Sequence, residues 1–223
     1  MFKWLKRQPA QPQIELRDTL FGNIPFADWI RVPAETMALE PWATFGRAKQ
    51  LIDSADPRGA IAVLEKVLKM PELESRHYLQ AYYFLRELGV EAPPEKAKHV
   101  LGVVVEIGME KGLDLIAGYA DHRARYYNYS GAAVVWERPD GTLDGAVDEL
   151  LAVGSVVAQT IGPWSERRPA APSKGHARIN ILVASGLHFG QGPMDMLGKD
   201  RLSGPVVASA FRLMQELIKL SKK

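Results

Sequence analysis

The sequence predicts an α+β fold: N-terminal helical hairpins, then an antiparallel sheet with two covering helices in the order β-β-β-β-α-β-β-α. Three observations carry this. Apolar residues recur at helical spacing between Pro41 and His99. After Val100 the hydrophobic period drops from 3.6 to 2. The short strands then run consecutively, with helices set between and after them, which favours layered α+β packing over a doubly wound parallel sheet.

Taken in order, residues 1–40 are a basic Pro/Gln-rich arm (1–13) followed by an irregular segment with short helical pieces. Residues 41–99 are helical. Trp42, Phe45, Ala48, Leu51 and Ile52 share one helix face, and Asp56-Pro57 opens a second helix with an N-cap and a proline at N1. A third helix ends before Gly89, which sits where a left-handed residue belongs. Residues 100–223 form the α+β region. It is expected to pack on the helical one, because no Pro/Gly/Ser-rich spacer separates them. Strands are expected near 103–109, 113–119, 123–129 and 132–137, a long helix over 142–161, two strands around 177–189, and a last helix from Gly204. The polar Pro-rich stretch 164–175 reads as a long loop.

Composition excludes several classes. With 47% hydrophobic and 24% charged residues, the 223-residue chain has the balance of a globular protein. Its 28 basic and 26 acidic side chains are too evenly matched to argue for a nucleic-acid partner. There are no cysteines, so disulfides, thiolate metal sites and a cysteine nucleophile are excluded. No apolar run approaches the roughly 18 residues of a membrane span. Met1–Arg7 has charge without an apolar run behind it, so it is not read as a signal peptide, and a cytoplasmic location is expected. Residues 2–7, with Phe2, Trp4 and Leu5 beside Lys3, Lys6 and Arg7, admit at most weak peripheral membrane contact.

No motif for catalysis survives. Gly192–Gly198-Lys199-Asp200 looks like a phosphate loop. However, five residues separate its glycines instead of four, Asp200 replaces the Ser/Thr that would hold magnesium, and Pro193 removes an N–H donor. Ser185 lacks the preceding glycine of a nucleophile elbow. No histidine pair has metal-ligand spacing. The carboxylates Glu106, Asp114, Asp144, Asp148 and Glu149 read as lying on turns and exposed faces. No catalytic residue, cofactor or metal is therefore predicted. Two clusters remain as candidate binding residues. Arg123, Arg125, Tyr127 and Tyr129 alternate onto one basic, aromatic strand face whose composition suits a protein interface and single-stranded nucleic acid alike. His188, Gln191 and Asp195 fall in or beside a glycine-rich loop, Gly190–Gly198.

Trp42, Gly46, Ala60 and Pro71 follow the tryptophan, small residue, alanine and closing proline order of tetratricopeptide repeats. Residues 42–99 thus resemble a pair of tetratricopeptide-like helical hairpins, and that resemblance implies contact with another protein. A generic helical bundle satisfies the same pattern, and two units are fewer than a free-standing solenoid needs. The expected function is that of a non-enzymatic, bacterial-type accessory or adaptor protein that binds another protein, with self-association left open. The alternative is a small-molecule-binding protein or enzyme with its pocket at the Gly190–Gly198 loop.

Overall fold

The computed structural model describes residues 14–137, 140–166 and 168–222, with the backbone alone for residues 14–16. The basic arm 1–13 lies outside them, and with it the membrane-contact reading of residues 2–7. Among the described residues the chain is an α+β fold of ten helices and one six-stranded antiparallel sheet.

The front half opens with three short helices, α1 (Ile14–Thr19), α2 (Phe26–Trp29) and α3 (Ala34–Met37). The expected longer ones follow: α4 (Trp42–Asp53), α5 (Pro57–Val67), α6 (Ser75–Glu87) and the short α7 (Pro94–Ala97). Asp56 caps α5, its Oδ1 accepting from Gly59 N at 2.9 Å. Gly89 adopts φ +79° just beyond α6. Phe45, Ala48, Leu64, Val67, Phe84 and Leu85 form the core of this half around Trp29. His77 enters that core edge-on to Trp29 and Trp42, with ring centroids 5.9 and 5.4 Å away.

The strands are β1 (Val100–Gly108), β2 (Leu113–Tyr119), β3 (Ala124–Tyr127), β4 (Ala133–Trp136), β5 (His176–Val183) and β6 (Gly186–Pro193), in sheet order β4-β3-β2-β1-β5-β6. Between them lies α8 (Asp144–Thr160), and after them α9 (Met194–Lys199) and α10 (Ser203–Leu220). The first sheet face carries Val103, Val105, Ile107, Ile116, Ile179 and Ile181, buried under α8 and α10. Gly154 lets α8 approach closely, since a Cβ there would stand 2.7 Å from Val103 Cγ2.

The second face is covered as well. Leu20, Phe21 and Leu79 pack on Val104, Leu115, Ala117, Tyr119 and Leu182. The Tyr119 hydroxyl donates to Leu20 O at 2.9 Å, and Ser75 and Asp121 exchange hydrogen bonds of 2.8 and 3.0 Å. A Cβ on Gly22 (φ +59°) would lie 2.6 Å from Leu79 Cβ, so this contact requires glycine. Two readings from sequence are corrected here. Glu106, expected on an exposed face, is 0% exposed because the front half lies over it. Gly190–Gly198 is not a loop, since Gly190–Pro193 finish β6 and Met194–Lys199 form α9.

Burial lowers the His77 pKa from its ordinary 6.5 to about 4, and Arg76 and Arg123 add to that against Glu74 and Asp121. His77 therefore stays neutral in the fold while the unfolded chain takes up a proton near 6.5. Its stability contribution is complete above that value and is lost as pH falls toward 4. Stability is expected to drop by about 2 kcal/mol between pH 7 and 5 from this group. His188, also lowered by burial, adds in the same direction. Urea midpoints at the two pH values check this, with His77→Phe flattening the slope.

Candidate functional site

Antiparallel register places one residue of each strand in a transverse row on the second face. Reading across the sheet, the row is Gln191, Arg178, Glu106, Leu115, Tyr127 and Ala133. It is polar at the β6 end and apolar at the β4 end. The neighbouring row is Phe189, Asn180, Val104, Ala117, Arg125 and Val135.

Glu106 is the centre of the polar half. Its carboxylate takes two hydrogen bonds from Arg17 of α1, one through Nε to Oε1 and one from Nη2 to Oε2 at 3.1 Å. Arg178, 1% exposed, adds Nη1 to Oε2 at 3.2 Å, and Asn180 adds Nδ2 at 3.3 Å. The remaining guanidinium donors reach the Pro-rich segment 164–175. Pro169 O accepts from Arg17 at 3.2 Å and from Arg178 at 3.1 Å, and Ala170 O accepts from Arg178 at 2.6 Å. The segment is thereby strapped across the second face. Gln191 Oε1 closes the Arg178 fork, accepting from Nε at 2.8 Å and also from Nη2. Burial lowers the Arg178 pKa and Glu106 opposes the shift. Arg168 of the strap joins the same cluster, paired with Asp18 and stacked 3.9 Å over the Phe21 ring.

Beside this centre, toward β4, lies a cavity of about 110 Å³ lined by Arg17, Leu113, Leu115, Tyr127, Asn128, Tyr129 and the turn residues Gly131 and Ala132. The β3–β4 turn that borders it has Gly131 at φ +95°. Asp114 fixes the turn, accepting from the Tyr126 hydroxyl at 3.1 Å and from Tyr129 N at 2.8 Å. The cavity is apolar along the strands and has one guanidinium at its edge, so it suits an apolar group with a polar end.

The residues singled out from sequence divide. Tyr127 and Tyr129 both line the cavity. Arg125 is on the same face but 6% exposed and paired with Glu137, while Arg123 precedes β3 and pairs with Asp121 and Glu137. These two arginines therefore serve the fold and do not present a free basic face. His188, opposite Ile181, faces α8, where its Nδ1 meets Ile161 O at 3.0 Å. Gln191 is on the second face, about 19 Å (four strand spacings) from Tyr127 along the row. Asp195 is exposed in the first turn of α9. The three do not converge.

Sequence reasoning missed Glu106, Arg178 and Arg17. The available signal was a charged residue set in the middle of an apolar strand on two strands at once, Val-Val-Glu106-Ile and Ala-Arg178-Ile-Asn-Ile. Among the described residues no group of three or more His, Asp or Glu is placed to hold a metal ion, and no helix is long and apolar enough to cross a membrane. No protein-family model, curated protein or solved structure matches the chain.

Removing the charge at the centre leaves two guanidinium groups without their shared partner. Glu106→Gln is expected to cost about 3–5 kcal/mol, measured by urea unfolding.

Proposed function

We propose that the chain works by binding another protein, capturing an extended segment that adds a strand to the open edge of β4. The backbone of that edge carries the reading. Asn128 N donates to Ala132 O at 2.8 Å, and hydrogen-bonded pairs alternate from there along β3 and β4. Val134 thus turns its N–H and C=O toward β3, while Ala133 and Val135 turn theirs away from the sheet. β4 is one of the two terminal strands, and Val135 is 44% exposed. Such an edge accepts an added strand through main-chain hydrogen bonds, and a nearby pocket selects the side chain.

The pocket lies where this requires it. Ala133 ends the row that runs through Leu115 and Tyr127, and its small side chain leaves room between the edge and the cavity. The cavity volume bears on the choice between readings. At about 110 Å³ it holds one side chain, whereas small-molecule sites span about 300–1,000 Å³. A ligand pocket at Gly190–Gly198 has less support, because that segment is strand and helix. In this reading the tetratricopeptide-like helices 42–99 brace the sheet from behind its second face, and the contact is made at the β4 end.

Val135→Pro tests it. Proline removes the outward N–H without touching a bond to β3, and edge strands tolerate it there. Peptides selected by display against the full chain are expected to bind the variant about fivefold to tenfold more weakly. The melting temperature should move by only a few degrees, and wild-type amides at Ala133 and Val135 should exchange more slowly when peptide is bound. Equal affinity for wild type and variant would overturn the proposal.

A further inference from the structure

We infer that the captured segment carries one long apolar side chain, leucine, methionine or phenylalanine, at the position that pairs with Ala133, and that this side chain crosses β4 to fill the cavity beside Tyr127. The inference rests on the strand-addition reading and adds the chemistry of the partner, an extended hydrophobic segment of another protein. The lining decides the class. Leu113, Leu115, Tyr127 and Tyr129 offer carbon surface to whatever enters. Arg17, at the edge, is already held by Glu106 and Pro169 O. The cavity therefore rewards apolar contact rather than charge.

The way in is built from the smallest residues. Gly131, Ala132 and Ala133 run between the cavity and the open edge, and all three are exposed. A Cβ on Gly131 would have nothing within 4 Å. A side chain from an added strand must cross β4, a spacing of about 4.8 Å, before it reaches the cavity. Valine and threonine end at Cγ and fall short, although strands favour them. Leucine, methionine and phenylalanine reach further. Their size suits the space as well. An enclosed cavity of about 150 Å³ takes a benzene ring, and this one, about 110 Å³, is open toward Ala133. A second copy of this chain does not supply such a residue. Antiparallel pairing of two β4 strands sets Ala133, Val135 or Glu137 of the second copy opposite Ala133, according to register. The first two are too short. The third is charged and held by Arg123 and Arg125 of its own chain.

Peptides selected by display against the full chain supply the probe. Each position of the tightest peptide is changed in turn to leucine, methionine, phenylalanine, valine, threonine and aspartate, and Kd is read by fluorescence anisotropy. One position is expected to favour leucine, methionine or phenylalanine over valine and threonine by about tenfold. Ala133→Leu, which blocks the crossing without removing an edge hydrogen bond, should erase that preference. Tyr129→Ala, on the turn, removes one wall and should reduce it severalfold; it decides alone should Ala133→Leu fail to fold. The inference is overturned if valine serves as well as the longer side chains at every position, or if the preference survives these variants unchanged. Weaker binding by Val135→Pro would then leave the strand addition standing, so the two failures are told apart. Equal affinity for wild type and Val135→Pro overturns both. A concentration-dependent dimer of the wild type that Val135→Pro abolishes would assign the edge to a second copy, and it too overturns the inference.

Discussion

A carboxylate with no access to solvent sits in the middle of the sheet, and much of the second layer follows from the need to neutralise it. Glu106 cannot stay charged there without partners, because an unpaired buried charge is among the costliest defects a fold can carry. One partner, Arg178, is its cross-strand neighbour on β5. The other, Arg17, comes from α1, which this bond ties to the second face. The arginine donors that Glu106 does not use fall on Pro169 and Ala170 and draw the strap across. Arg17, held by Glu106, also stands at the edge of the cavity beside Tyr127.

The two faces of the sheet are closed by different parts of the chain. α8 and α10 close the first, and α6 with the Leu20–Phe21 segment closes the second. The front half reaches β1, β2 and β5 but stops short of β4. There Ala133 and Val135 remain exposed, as Gln191 does at the β6 end of the same row. At the opposite edge, Trp164 bridges to Leu187 on β6. The two edges are thus unequal: the bridge engages β6 at Leu187, and the proposed strand addition uses β4.

Much of the fold is legible in the sequence, because periodicity reports local geometry directly. The change of period after Val100 marks the region of β1, which begins three residues before the strand expected near 103–109, and Asp56-Pro57 and Gly89 mark helix ends through their own backbone preferences. What periodicity does not report is what covers a face. Val104, Glu106 and Arg178 alternate as any strand does, and only the arrival of α1 and α6 makes their face an interior. Gly190 and Gly192 read as a loop because glycine is poor in strands. They pair with Ile179 and Ala177 nonetheless, in a ladder that runs the full length of β5. At the site, Tyr127 and Tyr129 were legible as an aromatic cluster. Arg17 was not, since a residue in a short helix gives no sign that it spans 89 positions to its partner.

That distance has a consequence for how the chain reaches its fold. The bonds to Glu106 and from Arg17 join residues separated by 72, 89 and 152 positions, so they cannot form until much of the chain has been drawn together. Closing long loops is cheap in equilibrium terms, about 0.6 kcal/mol per doubling of length. It is slow, however, because non-local contacts reward the chain only after closure. The helical hairpins of the front half, built from near neighbours, can form long before the charge cluster does. Until α1 arrives, Glu106 and Arg178 stand on an open sheet face where water still solvates them. Seating Arg17 on Glu106 expels that water and ties the front half to the sheet.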